Sequence, residues 1–177
     1  MTGSIGPSGA RSMDSMPGPD RLHQLTARLR APLPGAAMAE LAHEIAPARI
    51  EASDHITALA WATHDLERAM AETPAPFVRC ARDRVLDAHA AAVRYGPVLL
   101  LLEQPRTPEA GPLGAYLSRY GEGVAAIYLE RPRFLPASGP TGHVPRPLYT
   151  PFGRRGWMLP HEWPWGPFTI ALEEDQR

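Results

Sequence analysis

The chain lacks lysine and asparagine entirely, and it has a single cysteine, Cys80. All 18 basic residues are therefore arginine, which we attribute to the codon bias of a GC-rich genome rather than to selection for guanidinium groups. One cysteine excludes an intrachain disulfide framework and a cysteine metal cluster. We expect Cys80 to be a small buried hydrophobe, with a catalytic thiol as the alternative.

Strong net charge and long apolar runs are also missing. A net charge of -1 argues against a nucleic acid or an anionic membrane as the main partner. The longest apolar run, VLLLL at 98–102, is bounded by Pro97 and Glu103 and is too short to cross a membrane. The N-terminus does not place an apolar core behind a charged segment, as a secretory signal would. The expectation is a soluble, cytoplasmic protein.

Several motifs with a known chemistry are absent. The sequence has neither GxxxxGK nor a GxGxxG between strand and helix, and it has no serine nucleophile elbow. His161 and Glu162 belong to a predicted turn without an HExxH continuation, which excludes a zincin-like site.

The 177 residues are enough for one well-buried domain. Residues 1–20 are mostly Gly, Ser, Pro and Met and are predicted to be a disordered tail. Residues 21–47 are predicted to be a helical extension of two helices, because Leu22, Leu25 and Leu29 recur at helical spacing and a second apolar face follows. We interpret this extension as a lid or a dimer arm.

The remainder, residues 50–174, alternates short apolar segments with turns. The pattern predicts strands at 50–62, 88–95, 98–103, 124–130, 157–159 and 168–172, with helices after Asp65 and at 113–120. The segment 131–147 is rich in proline and is predicted to be a loop, since each proline inside a helix costs about 3 kcal/mol. HEWPWG is predicted to be the turn of the closing hairpin.

Residues 96–130 read GPVLLLLEQPRTPEAGPLGAYLSRYGEGVAAIYLE. This segment resembles the centre of a glyoxalase-like, vicinal-oxygen-chelate domain of the methylmalonyl-CoA epimerase type, where LLEP leads through SPIAKFLEKRGEG to HHIA. DHITALAWATHDLERAM resembles the opening DHIGIAVPDLEAAI of that family, with one or two residues inserted before the helix. GEGVAAI also resembles the N-terminal half of hydroxyphenylpyruvate dioxygenase-like proteins, which share the fold.

The resemblance implies an α+β protein in which paired βαβββ modules form an incomplete curved barrel around a cavity. The first module would span about 50–105, the linker helix 112–121 and the second module about 124–174, the second module lacking its helix. The superfamily often forms homodimers, so a homodimer is also implied.

In metal-using members of this superfamily, four strands each supply one inward-facing ligand. The resemblance places these positions at His55, Leu101, Ala126 and Ile170. Since only His55 has a donor atom, no bound metal and no other cofactor is expected. A shift of register that brings Glu173 or Glu174 to the last position would restore a ligand. A one-residue shift would, however, turn every side chain of the last strand to the other face of the sheet.

A two-residue period predicts which side chains face the cavity. We expect His55, Glu103 and Tyr128 to be catalytic, with the histidine as general base and one of the other two as the acid. The ligand-binding residues expected around them are Thr57, Leu59, Trp61, Leu99, Leu101, Ala126, Glu130, Trp157, Phe168 and Ile170. Such a pocket suits a bulky, largely apolar organic ligand.

Structural alternatives remain open for these residues. His55 is equally consistent with a core histidine. Glu103 and Glu130, at strand ends, are consistent with carboxylates that are either solvated or paired to Arg131 or Arg133. The aromatic residues of the closing hairpin are consistent with simple packing.

Three functions follow from the sequence. The first is a metal-independent isomerase, cyclase or lyase of bacterial secondary metabolism. The alternative is a non-catalytic, drug-sequestering protein that binds a small molecule in the same cavity. The third is a metal-dependent epimerase or a dioxygenase-like protein.

Overall fold

The computed structural model describes residues 18–30, 34–46, 50–134, 136, 145–160 and 167–174. Most of the predicted tail, and the predicted HEWPWG turn, lie outside these residues. The helices are α1 (Gly18–Leu29), α2 (Pro34–Ile45), α3 (Leu66–Glu72) and α4 (Gly111–Tyr120). The strands are β1 (His55–Ala62), β2 (Val78–Arg79), β3 (Ala88–Tyr95), β4 (Val98–Pro105), β5 (Gly123–Glu130), β6 (Leu148–Tyr149), β7 (Arg155–Met158) and β8 (Phe168–Leu172).

All eight strands form one curved sheet in the order β2-β3-β4-β1-β5-β8-β7-β6. The central strand β1 pairs in parallel with β4 and antiparallel with β5, which in turn pairs in parallel with β8. Each half of the sheet is thus one leading strand and a three-stranded meander. The predicted α+β class, with paired modules in an incomplete barrel, is confirmed. Between β5 and β6 no helix occurs among the described residues.

The first strand begins later than predicted, at His55 instead of residue 50. Asp54 stops it from extending backwards, because its carboxylate accepts a hydrogen bond from Glu51 N at 2.8 Å and closes a turn. Arg131, the residue after β5, donates hydrogen bonds to the same carboxylate from Nε at 2.9 Å and from Nη2 at 2.8 Å. A partly buried ion pair therefore fixes the entry into β1.

The turn into α3 is fixed by polar side chains from other elements. Asp65 caps the helix by accepting from Arg68 N at 3.0 Å, as its position in the sequence predicts. Gln104 Oε1 on β4 accepts from Leu66 N at 3.1 Å. Glu122, the acid of the Gly-Glu-Gly entry to β5, accepts from Thr63 Oγ1 at 2.6 Å and from His64 N at 3.0 Å.

Helices α1 and α2 pack on the outer face of the sheet. Their apolar side chains are almost completely buried against a cluster that we call the outer core, whose sheet members include Leu59, Trp61, Leu100, Leu102 and Ile127. Helix α2 contacts β1 and β4, while α1 reaches β5. The N-terminal helices therefore cover the outer face over β1, β4 and β5. No helix in the described part of the chain is long and apolar enough to cross a membrane.

The opposite, concave face carries a second cluster, the inner core. Its members are Ala58, Ala60, Ala62, Leu86, Ala88, Leu99, Leu101, Leu113, Tyr116, Leu117, Ala125, Ala126, Tyr128, Phe168, Ile170 and Leu172.

The loop at 80–87 lies beside this face and links the two edges of the sheet. It follows the edge strand β2, and its Arg84 N donates to Tyr149 O of the opposite edge strand β6 at 2.9 Å. We call it the closing loop.

Candidate functional site

Three acidic or phenolic side chains meet on the concave face. The Tyr128 hydroxyl of β5 lies 2.9 Å from Glu103 Oε1 of β4 and also hydrogen-bonds with Asp83 Oδ2 of the closing loop. All three residues are fully buried. We call this group the buried acid cluster.

The two carboxyl groups of this cluster have different surroundings. Asp83 Oδ1 accepts hydrogen bonds from Val85 N at 2.6 Å and from Leu86 N at 3.0 Å. In contrast, Glu103 Oε2 is buried without a hydrogen-bond partner among the described residues. Backbone amides favour the ionised form of Asp83, and an unpartnered oxygen favours the neutral form of Glu103.

The pKa values follow these surroundings. Burial raises the pKa of Glu103 well above its usual range, and the nearby Asp83 raises it further. Burial also raises the pKa of Asp83, but the Tyr128 hydroxyl and the amides of Leu86 and Val85 oppose that rise. Burial, followed by the charges of Glu103 and Asp83, raises the pKa of Tyr128 well above its usual range.

Proton counting agrees with these directions. A phenol has one proton to donate, so it cannot donate to both carboxyl groups at once. In its second hydrogen bond the phenol oxygen must therefore be the acceptor, and the donor must be a protonated carboxyl group. The hydrogen bonds and the directions of the pKa values together favour a neutral Tyr128, with Glu103 as the protonated carboxyl group and Asp83 as the ionised one.

The structure groups half of the ten expected ligand-binding residues in one buried cluster. Leu99, Leu101, Ala126, Phe168 and Ile170 all belong to the inner core with Tyr128, as the two-residue period predicts. Leu99 is 7% exposed and the others 1% or less. These side chains pack against each other and against the closing loop, so they form a filled core.

Leu59 and Trp61 were expected on the same face, and this was wrong. Ile56 pairs with Leu129 and Ala58 pairs with Tyr128, so Thr57 is an extra residue in β1. Such a bulge turns every later side chain to the other face. The sequence resemblance implied one or two inserted residues just before α3, whereas the extra residue Thr57 lies within β1.

His55 does not join the buried acid cluster. It is exposed at the start of β1, where it pairs with Glu130. Glu103 pairs with Ala62 at the other end of the same strand, which lies about 20 Å away at about 3.3 Å per residue. The expected combination of His55 as base with Glu103 or Tyr128 as acid at one substrate atom is therefore wrong.

A cavity of about 270 Å³ contains His55 together with charged side chains. Glu130 forms an ion pair there with Arg154, which also donates to Glu173 O at 2.6 Å. Glu130 is thus an arginine-paired carboxylate, with Arg154 as a partner that the sequence analysis did not name.

Another cavity, of about 260 Å³, adjoins the closing loop and is lined by Trp157, Met158, Val85 and neighbouring residues. Trp157 Nε1 donates to Pro145 O at 2.8 Å, and its ring lies 5.8 Å from that of Phe134. Val85 and Met158 also pack against the inner core. Val85, whose amide binds Asp83, therefore belongs to the wall of this cavity. We call it the adjoining cavity.

Cys80 is half-exposed instead of buried as expected. Burial raises its pKa to about 11, and the charges of Glu103 and Asp83 add to the effect. A thiol that stays protonated at neutral pH is a poor nucleophile, which weighs against a catalytic thiol.

Asp83 is the one member of the acid cluster that sequence reasoning missed. It lies in a segment, 74–87, without helical or strand periodicity. A local signal was present. An aspartate side chain in a turn commonly accepts a hydrogen bond from the backbone amide two residues later, and here Val85 occupies that position. Among the described residues, no three His, Cys, Asp or Glu side chains are grouped to hold a metal ion.

Comparison with known proteins gives a likeness of fold. No family model and no curated protein matches the chain. Methylmalonyl-CoA epimerase from Streptomyces coelicolor, in complex with 2-nitronate-propionyl-CoA, is 18% identical, with 66% of this chain and 94% of that chain covered at a TM-score of 0.47. Methylmalonyl-CoA epimerase from Mycobacterium tuberculosis is 12% identical, and the match covers 66% of this chain and 85% of that chain at a TM-score of 0.49. A hypothetical protein from Bacillus halodurans is 12% identical, with 71% and 97% covered at 0.48. These values assign no activity to this chain.

Proposed function

We propose that this protein is a metal-independent enzyme, an isomerase, cyclase or lyase, that acts on a bulky, largely apolar intermediate of bacterial secondary metabolism. The observation that carries the proposal is the pair of buried carboxyl groups bridged by one phenol. Strongly perturbed ionisable groups of this kind are costly in a core and are concentrated at functional sites.

The pair holds one carboxyl group in each protonation state. A protonated Glu103 can give a proton while an ionised Asp83 takes one, and Tyr128 connects the two oxygens. Isomerisation, cyclisation and elimination need such a transfer of protons without a net change of charge. A pocket that also restricts the conformation of the substrate would supply further acceleration.

The substrate would reach the cluster from the adjoining cavity. Val85 lines that cavity and, through its amide, also binds Asp83. Displacement of the closing loop would expose Glu103 and Tyr128 to a ligand held by Trp157 and Met158. The apolar lining accounts for the proposed class of substrate.

The test uses a panel of aromatic and polyketide-like carbonyl compounds in deuterated water, followed by mass spectrometry of products and of exchanged carbon-bound protons. Wild type should convert or exchange at least one compound. Glu103→Gln and Asp83→Asn should each lower the rate on the order of a hundredfold or more, as the loss of a positioned acid or base does. Thermal unfolding of each variant verifies that it is folded.

His55→Ala is the matched control, since its side chain lies far from the cluster. Its rate should equal that of wild type. A folded Glu103→Gln variant with full activity would refute the assignment, and loss of activity in His55→Ala alone would return the general base to His55.

The second candidate is a binding protein without turnover, and the complete burial of Glu103 and Tyr128 favours it. In that case no product appears with wild type, although compounds of the panel bind. Trp157→Ala should then weaken binding more than Glu103→Gln, because aromatic area dominates the capture of an apolar ligand.

A further inference from the structure

A larger cavity, of about 700 Å³, lies where the N-terminal helices meet the end of β1 and the start of β5. Its lining comes from α1, α2, α4 and both strands, so it exists only with the N-terminal helices in place. The volume is typical of sites for drug-sized ligands. It does not include any residue of the buried acid cluster.

Aromatic rings form much of its wall. Trp61 closes the inner end and is 2% exposed, whereas Tyr120 is 48% exposed near the solvent. The rings of Tyr116 and Tyr120 are 5.2 Å apart between centroids. Tyr116 is fixed in place, because its hydroxyl donates to Val124 O at 3.0 Å.

Two guanidinium groups lie among these rings. Arg21 Cζ is 5.8 Å from the Trp61 centroid, and Arg119 Cζ is 5.7 Å from that of Tyr120. Arg21 Nε is buried without a hydrogen-bond partner among the described residues. The lining thus holds two arginines and one acidic residue beside its aromatic surface, and the acidic residue, Glu44, is paired with Arg28 at 3.3 Å.

Gly123 allows the cavity walls to approach each other. A Cβ atom there would lie 2.8 Å from the Tyr116 hydroxyl and 3.6 Å from Arg21 Nη2. Any larger residue would displace the tyrosine that forms the wall. The close packing of glycine, ring and guanidinium thus belongs to the cavity itself.

We propose that this cavity binds an aromatic organic anion, a planar ring system carrying a carboxylate. The rings would stack on Tyr116, Tyr120 and Trp61, and the carboxylate would accept hydrogen bonds from Arg119 and Arg21, the fork geometry that guanidinium groups offer to carboxylates. Because α1 and α2 contribute to the lining, the bound ligand also holds the N-terminal helices against the sheet.

The experiment is calorimetric titration of the full chain with three acids, naphthoate, indole-carboxylate and biphenyl-carboxylate, each compared with its uncharged amide. At least one acid should bind at one site per chain and more tightly than its amide by about tenfold or more, the usual contribution of a charge-assisted hydrogen bond. Arg119→Gln should remove that difference between acid and amide. Arg94→Gln, an exposed arginine of β3 outside the lining, is the matched control and should leave both affinities unchanged.

Fluorescence provides a second measurement that does not depend on the arginine variants. Binding of the acid should quench the emission of wild type, and most of that quenching should be absent in Trp61→Phe. Failure of all three acids to bind at millimolar concentration would overturn the proposal. So would equal binding of acid and amide, or an unchanged preference in Arg119→Gln.

Discussion

At the scale of single residues, Tyr128 explains how two carboxyl groups coexist in an apolar core. Its hydroxyl is the only polar group in the described structure that hydrogen-bonds with both Asp83 and Glu103. The phenol stays neutral because burial, and after it the two neighbouring acids, make its ionisation unfavourable. Two protons shared among three oxygens replace the cation that such carboxyl groups usually need.

The stability of the protein should therefore fall as the pH rises. Glu103 keeps its proton in the folded state, while the unfolded chain releases it above about pH 4.3. The unfolded state then binds fewer protons, so the free energy of unfolding should decrease by up to about 1.4 kcal/mol per pH unit. Glu103→Gln removes this group, and urea unfolding between about pH 5 and about pH 8 should show a flatter profile.

Glu109→Gln, on an exposed side chain, is the control and should follow the wild-type profile. If wild type and Glu103→Gln lose stability equally over this range, Glu103 is not protonated in the folded protein.

The face of β4, and that of β5 from Ala126 to Tyr128, could be predicted residue by residue, whereas that of β1 could not. Leu101, Ala126 and Tyr128 follow the two-residue period and lie together as expected. In β1 the extra residue Thr57 changes the period inside the strand, and apolar residues on both sides of the bulge conceal the change. Asp83 was missed because its burial depends on a loop reaching a strand more than 60 residues later in sequence.

At the scale of elements, α1 and α2 cover the outer face over β1, β4 and β5. The leucine spacing predicted these two helices, and the described residues between β5 and β6 contain no helix, although part of the proline-rich segment 131–147 lies outside the described residues. The two-residue edge strands β2 and β6 were not predicted, since they are too short to show a period. Their pairing depends on neighbours in the folded sheet.

The contribution of the N-terminal helices can be measured with Leu25→Ala. Leu25 is completely buried in the outer core, and such truncations cost about 2–5 kcal/mol. Urea unfolding should show this loss, and Glu40→Ala on the exposed side of α2 should change stability by less than about 0.5 kcal/mol. A negligible effect of Leu25→Ala would mean that the helices do not cover the sheet in solution.

At the scale of the whole molecule, three of the four positions that the sequence resemblance implies for metal ligands hold Leu101, Ala126 and Ile170, whose side chains have no donor atoms. We expect less than one Zn, Ni, Co, Mn or Fe per chain in protein purified without chelator, and an unchanged melting temperature after EDTA treatment. Elemental analysis and thermal unfolding measure both. One tightly bound transition metal per chain would favour the metal-dependent epimerase or dioxygenase-like function. A homodimer likewise stays a prediction, to be measured by sedimentation.

The hydrogen bond from Arg84 to Tyr149 joins the two ends of the curved sheet at the loop that carries Asp83. If substrates enter by release of this loop, the Arg84 amide proton is exposed to solvent in each catalytic cycle. Its hydrogen-exchange rate then reports how often the loop opens. No substrate of the proposed enzyme can turn over faster than that opening rate, whatever the strength of the acid and base inside.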